Sequence, residues 1–170
     1  MVNVVGLDYA KPLLNFQGTV DDDLLETVIA QAETIVVEKY GPLVATALTK
    51  RVFSRGGKLV LPVLPVISIT SATAVESGVA LDLTNDNLVN LRAGTISITG
   101  ASDGVAFDVV YQAGRSTTPE ALKRVVVETA RYLWRPLQGP VVNGQAVDAS
   151  MAALRMAEML AAPYRAGGFA

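Results

Sequence analysis

The chain has 170 residues, 51% of them apolar, with a formal net charge of −2. That is enough to bury one core without staples, and too apolar for a disordered chain. It contains no cysteine and no histidine, which excludes disulfides, thiolate nucleophiles and cysteine zinc sites, and removes the commonest general base and metal ligand.

Met1 to Gly18 reads as an irregular arm. Its start, MVNVVGLDYAKP, has no basic region and no long apolar run, so no signal peptide is expected. No stretch approaches the roughly 18–20 apolar residues of a membrane span, and the default setting is cytosolic. Thr19 to Tyr40 carries the clearest helical period, with Leu25, Val28, Ile29, Ala32, Val36 and Tyr40 on one face. Thr19 or Asp21 caps it, and Gly41-Pro42 ends it. A short second helix is predicted over Leu43 to Lys50, burying Leu43, Val44, Ala47 and Leu48.

The period then changes. Val66 to Val75 reads as a strand with Ile67, Ile69 and Val75 on one face, and Val79 to Leu83 returns as its hairpin partner after Glu76-Ser77-Gly78. A turn at Asn85 to Asn87 leads to a second hairpin, Leu88–Arg92 with Thr95–Thr99 about Ala93-Gly94. After the loop GASDG, Val105 to Tyr111 alternates as a half-buried strand. Short strands joined by tight turns imply an antiparallel sheet.

Helical period resumes over 118–135, with Leu122, Val125, Val126, Thr129, Ala130 and Leu133 inward. Pro119 suits the first turn, and Glu120 can close a capping box with Thr117. Pro136 to Ala149 reads as a loop. A last helix, Met151 to Ala162, starts at Asp148 or Ser150 and stops at Pro163. Helices and strands are segregated, which makes the fold class α+β. The expected division is one domain over 1–135 and a C-terminal linker, short helix and tail over 136–170.

Few residues carry chemistry. Asp21, Asp22 and Asp23 sit at a helix start, where consecutive side chains diverge and make a poor metal cage; favourable placement at the positive end of the helix dipole accounts for them. Lys50, Arg51, Arg55 and Lys58 surround Gly56-Gly57. They are a candidate DNA-channel or phosphate loop, but without Walker spacing the solvated loop is the preferred reading. Arg124, Arg131 and Arg135 alternate with Glu120 and Glu128 at ion-pairing distance along a helix, which predicts a solvated or inter-subunit salt-bridge face rather than a DNA stripe. Trp134 reads as a core or interface anchor. The last helix has only Arg155 and Glu158 as charges across MAALRMAEMLAAPY. Met151, Leu154, Met156, Met159 and Leu160 cover more than one stripe, and methionine suits adaptable contacts. These residues, with Tyr164 and Phe169 of the tail, form a candidate interface to another chain. No cofactor and no metal site is expected.

Several elements together are similar to one known family. They are the acidic helix DDDLLETVIAQAETIVVEKYGP, the proline-led strand LVLPVLPVISITSATAVESGVAL, the stretch FDVVYQAGRSTTPEALKRVVVETARYLW and the closing MLAAPYRAGGFA. In this order they resemble the head–tail connector proteins (adaptors, or head-completion proteins) of tailed bacteriophages. The resemblance spans Asp21 to Trp134 and, more weakly, the tail. It implies a non-enzymatic virion protein made in the bacterial cytoplasm. Such proteins form a homo-oligomeric ring, usually twelvefold, beneath the portal protein. The ring extends the DNA channel and meets a stopper or tail-terminator protein, with genomic DNA passing non-specifically and no membrane involved. A negative chain suits a channel through which DNA must slide, since phosphate contacts hold DNA.

The alternatives are another virion protein (a decoration or tail-terminator subunit), a small DNA-binding module using Lys50 to Lys58 and the Arg124 helix, and a carboxylate hydrolase, for which no paired acids are found. Pro62 and Pro65 stand at the head of the apolar segment VLPVLPVISITSATAVESGVAL. Proline cannot donate to a sheet ladder, so they are expected to form an extended lead-in that ends at Val66 and offers itself to a neighbouring subunit.

Overall fold

The computed structural model describes residues 4–84, 88–100, 102–134 and 145–164, with backbone alone for 145–150. In chain order the elements are α1 (Leu7–Leu14), α2 (Asp22–Tyr40), β1 (Thr46–Phe53), β2 (Lys58–Val60), β3 (Val66–Ala74), β4 (Val89–Asn90), β5 (Thr95–Ser97), β6 (Ala106–Ala113), α3 (Glu120–Trp134) and α4 (Gln145–Ala161). A single 3-10 turn, Ala162–Tyr164, follows α4. The α+β class holds. The chain divides into a helical unit, containing α1 to α4, and a strand unit over Gly41–Thr117.

In the helical unit, α2 buries all six of its predicted positions: Leu25, Val28, Ile29, Ala32, Val36 and Tyr40. α3 is the central helix and packs against the other three. Leu122 and the continuous run Val125 to Ala130 are buried, so α3 is covered on more than one side; Leu133 is only half-buried. Trp134 is a core residue, and its ring meets Phe16 edge to face at 5.5 Å.

Glu128 departs from its expected place. Its side chain is 3% exposed and accepts from Arg131 Nη1 at 2.5 Å, so this pair lies inside the unit rather than on a solvated face. Arg131 also donates to the Leu13 carbonyl. Arg135 lies outside the described residues.

α1 replaces part of the irregular arm. Pro12 inside an eight-residue segment hid it. Contacts distant in sequence hold it: Val5 N–H donates to Glu33 at 2.8 Å, and Lys11 Nζ to Asp22 at 2.7 Å. Asn15, in the left-handed region at φ 55°, closes its C-terminus.

Tyr9 of α1 is pushed up from 10.0 to about 12, by burial first and then by its hydrogen bond to Glu120. The same bond is the largest cause holding Glu120 below the usual carboxylate range, with Lys123 and Arg124 assisting. Tyr9 therefore contributes stability that is complete below pH 10 and is lost as pH rises through about 12. Glu120 contributes above its unfolded pKa and loses that contribution as pH falls through its lowered folded value. In a phenolate absorbance titration, Tyr9→Phe is expected to remove a late-titrating tyrosine. An unchanged alkaline limb would contradict the assignment.

The strand unit holds two three-stranded antiparallel sheets, ordered β1-β6-β3 and β2-β5-β4. Leu59, Leu61, Ile96, Phe107, Val109 and Tyr111 are fully or almost fully buried in its core. The predicted helix at 43–50 is not formed. β1 instead pairs with β6 over eight residues without a break, from Thr46↔Ala113 to Phe53↔Ala106. The apolar spacing there satisfies a helix locally, but the ladder with β6 supplies long-range pairing that local preference does not.

β3 follows its predicted span, but register shifts at Val66/Ser68 and Ile69/Ser71 break its alternation. Val66 and Ala72 are its buried residues, whereas Val75 is exposed. The predicted partner Val79–Leu83 makes a shorter contact: one bridge, Thr73↔Ala80, flanked by bonds of 2.9 Å from Ala74 N–H to the Val79 carbonyl and 2.8 Å from Leu81 N–H to the Ala72 carbonyl. The second predicted hairpin is present as β4–β5, and Asn85 to Asn87 lie outside the described residues.

Pro62 and Pro65 lie between β2 and β3, so their missing donors fall outside both ladders as expected. The segment bends rather than running extended, and the Leu64–Pro65 peptide is cis. α4 begins at Gln145, so the loop predicted over 136–149 is helical from 145 on; residues 135–144 lie outside the described residues.

Candidate interface surfaces

The last helix buries three of its alanines and exposes its methionines. Ala153, Ala157 and Ala161 are 5%, 5% and 0% exposed, while Met151, Met156 and Met159 are 48%, 45% and 73% exposed. Alanines at i, i+4 and i+8 share one helix face and permit close approach; α3 is the helix that α4 packs against. Leu154, Leu160 and Tyr164 are half-buried, and Phe169 lies outside the described residues. Lys39 ties α2 to α4 through Glu158 at 3.1 Å. Beside this bridge a groove of about 390 Å³ runs between α2, α3 and α4, with Ile35, Val125, Thr129 and Leu154 in its wall. The Ala-x-x-x-Ala-x-x-x-Ala spacing was present in the sequence and would have identified the inward face. The methionines alone do not distinguish a buried stripe from an exposed one.

The basic residues are placed differently from one another. Lys50 and Arg51 lie on β1, and Arg55 and Lys58 flank a two-residue turn. Gly56 and Gly57 have φ of 57° and 70°. Positive φ at both central positions is the geometry of a type I′ hairpin, which glycine adopts without penalty. Arg51 is engaged bidentately by Asp108, at 2.9 and 3.0 Å. That hydrogen bonding is the main cause raising the Arg51 pKa and lowering that of Asp108. The Gly56 N–H, which would face a phosphate in a binding loop, donates to the Asp103 carboxylate at 2.7 Å. A negative group of the chain itself thus takes the anion position.

Ser54 was not singled out from sequence. It is 3% exposed. Its hydroxyl donates to the Ser102 carbonyl at 2.6 Å and accepts from Val105 N–H at 3.0 Å, fixing the loop that carries Asp103. Pro62 is exposed and Pro65 half-buried. Among the described residues no group of three or more acidic side chains is placed to hold a metal ion, Asp21 to Asp23 included.

No family model matches the chain, and no curated protein matches it. Solved structures do. A chain from the neck of an empty GTA particle computed with C6 symmetry aligns with a TM-score of 0.57 at 17% identity, covering 86% of this chain and 85% of that one. A chain from the neck of a native GTA particle computed with C12 symmetry aligns at 0.54 and 18%, covering 80% and 82%. At this identity the likeness establishes a shared fold.

Proposed function

We propose that this protein is a structural subunit of the neck of a phage-like particle, where copies form a ring, twelvefold in the simplest reading, that joins head to tail. One observation carries the reading: the shared fold spans most of both chains, and the similar chains belong to particle necks solved with sixfold and twelvefold symmetry. In this role the ring sits beneath the portal protein, continues the DNA channel and receives a stopper or tail-terminator protein. The chemistry of the chain agrees with that role. It offers no histidine or cysteine to a catalytic site and carries a net charge of −2, so genomic DNA passes with little to hold it. A dedicated DNA-binding module is disfavoured, because Arg51 and the Gly56 N–H are already engaged by Asp108 and Asp103.

The exposed methionine face of α4, with Leu154, Leu160 and Tyr164 beside it, is assigned to another chain of the neck, as is Phe169 of the tail. Pro62 and Pro65 are assigned to a neighbouring subunit. Negative-stain imaging of the purified chain tests the ring directly: closed rings with an axial channel are expected, and a chain that stays monomeric at high concentration would refute it. Changing Met151, Met156 and Met159 to serine should leave the helical unit folded and abolish attachment of tails to heads. Normal tailed particles from that variant would remove α4 from the interface.

A further inference from the structure

The two edges of the sheet β1-β6-β3 are finished in different ways. β3 is guarded: two register shifts distort it, and the segment from Val79 to Leu81 covers its outer side. Such devices are how soluble proteins blunt a sheet edge. β1 has neither device. It pairs with β6 over eight residues without a bulge, contains no proline, and exposes all its residues but Leu48 and Val52. Among the described residues no backbone hydrogen bond reaches its outer side. A long, regular, exposed edge is a template for another strand.

The opposite edge has the complementary character. From Leu43 to Leu61 the chain has four basic residues, Lys50, Arg51, Arg55 and Lys58, and no acidic one. From Pro62 to Thr84 it has two acidic residues, Glu76 and Asp82, and no basic one. Both acids are exposed. The levels also correspond. Val52 lies in one row with Phe107, Ala74 and Val79, and Lys50 in one row with Val109, Ala72 and Leu81. Side chains in one row share a face and those one row apart do not, so exposed Thr49 is level with Asp82 through Val110 and Ser71, and Arg51 lies on that same face, in the row of Ala80.

Strand direction completes the match. β1 and β3 both run antiparallel to β6, and Ala80 runs antiparallel to β3. The order β1, β6, β3, Val79–Leu81 thus alternates, and the next strand in an antiparallel sheet must run as β1 does. We propose that β1 of one copy pairs antiparallel with the Val79–Asp82 edge of the next copy, so that this sheet continues from subunit to subunit around the ring. The contact is head-to-tail, as cyclic symmetry above twofold requires; β1 meeting β1 would give only a dimer. Copies related by rotation about an axis along the strands keep both strand direction and level, so Thr49 comes opposite Asp82, with Arg51 diagonal to that carboxylate on the same face. This inference rests on the ring reading above.

The absence of cysteine makes the test direct. The full-length Thr49→Cys/Asp82→Cys chain, treated with a short bis-maleimide, is expected to give a ladder of covalent oligomers on a denaturing gel, while each single variant stays monomeric. A second variant tests the strand pairing itself. Ser54 N–H points toward β6, at 2.8 Å from the Val105 carbonyl, so by alternation the Thr49 N–H points outward. Thr49→Pro should therefore melt like wild type but need at least about tenfold more protein to form rings by native mass spectrometry. Wild-type rings with no cross-linked ladder, or Thr49→Pro rings at wild-type concentrations, would overturn this pairing while leaving the ring intact. A wild-type chain that forms no ring at any concentration overturns both.

Discussion

Arg131→Met is expected to destabilise the helical unit by about 3–5 kcal/mol, the range found when one partner of a buried ion pair is removed. The Glu128 side chain is 3% exposed and Arg131 is 30% exposed, so water reaches the vacated guanidinium site from one side only and replaces the lost partner incompletely. The Leu13 carbonyl loses its Arg131 donor as well, which loosens α1 from α3. Methionine retains the aliphatic stem, so lost packing contributes little. Arg131→Lys keeps the charge but not the fork that reaches both acceptors, and should fall between wild type and the methionine variant. The double variant Glu128→Leu/Arg131→Met should regain most of the loss, because the buried charge is then gone. Trp134 is the chain's only tryptophan and belongs to the same unit, so its fluorescence in a urea titration reads this unit. A single-variant loss below about 1 kcal/mol would mean that the pair behaves as an exposed one.

The helices whose cores are set by local periodicity were the legible part of the fold. α2 is one stripe, and every position of that stripe is buried. α3 was placed correctly, but a single amphipathic face cannot express that a helix is enclosed by three others, so Glu128 read as a surface residue. Elements decided by distant partners were not legible. α1 depends on Glu33, Asp22 and Arg131, and β1 exists through β6, which lies more than fifty residues away. For 43–50, the apolar spacing Leu43, Val44, Ala47, Leu48 fits a helix face, and nothing in those residues announces the ladder. The interface was half legible. Sequence showed that the last helix is too apolar to be an ordinary surface helix. It could not show that the alanines turn inward and the methionines outward, because that depends on how closely α3 and α4 approach. The basic cluster needed the fold more: only the sheet reveals that Lys50 lies on one edge and Asp82 at the other.

In the strand unit, Gly114→Ala is expected to be among the most damaging single changes, at about 3 kcal/mol or more. Gly114 follows β6 with φ +113°, a conformation that L-residues rarely adopt. Its N–H donates to the Pro65 carbonyl at 2.8 Å, so the backbone cannot rotate away without losing a bond. An added Cβ would overlap the Val44 carbonyl oxygen and lie 2.8 Å from the Val44 carbonyl carbon and 3.1 Å from Pro42 Cβ. Two of these three atoms are backbone, and the third belongs to a proline ring that cannot change rotamer. The strain has no cheap outlet. Gly78→Ala separates conformational from steric cost. Gly78 has φ +68°, but a methyl group added there would meet nothing within 4 Å, so its alanine variant should lose only about 1–2 kcal/mol. The difference between the two variants measures the collision with the Val44–Pro42 segment. Protection of the β6 amides from hydrogen exchange follows this unit without relying on Trp134. Gly114→Ala should raise their exchange by more than about tenfold beyond Gly78→Ala. Equal exchange in the two variants would show that the segment before β1 yields freely, and that Gly114 is required only for its backbone angle.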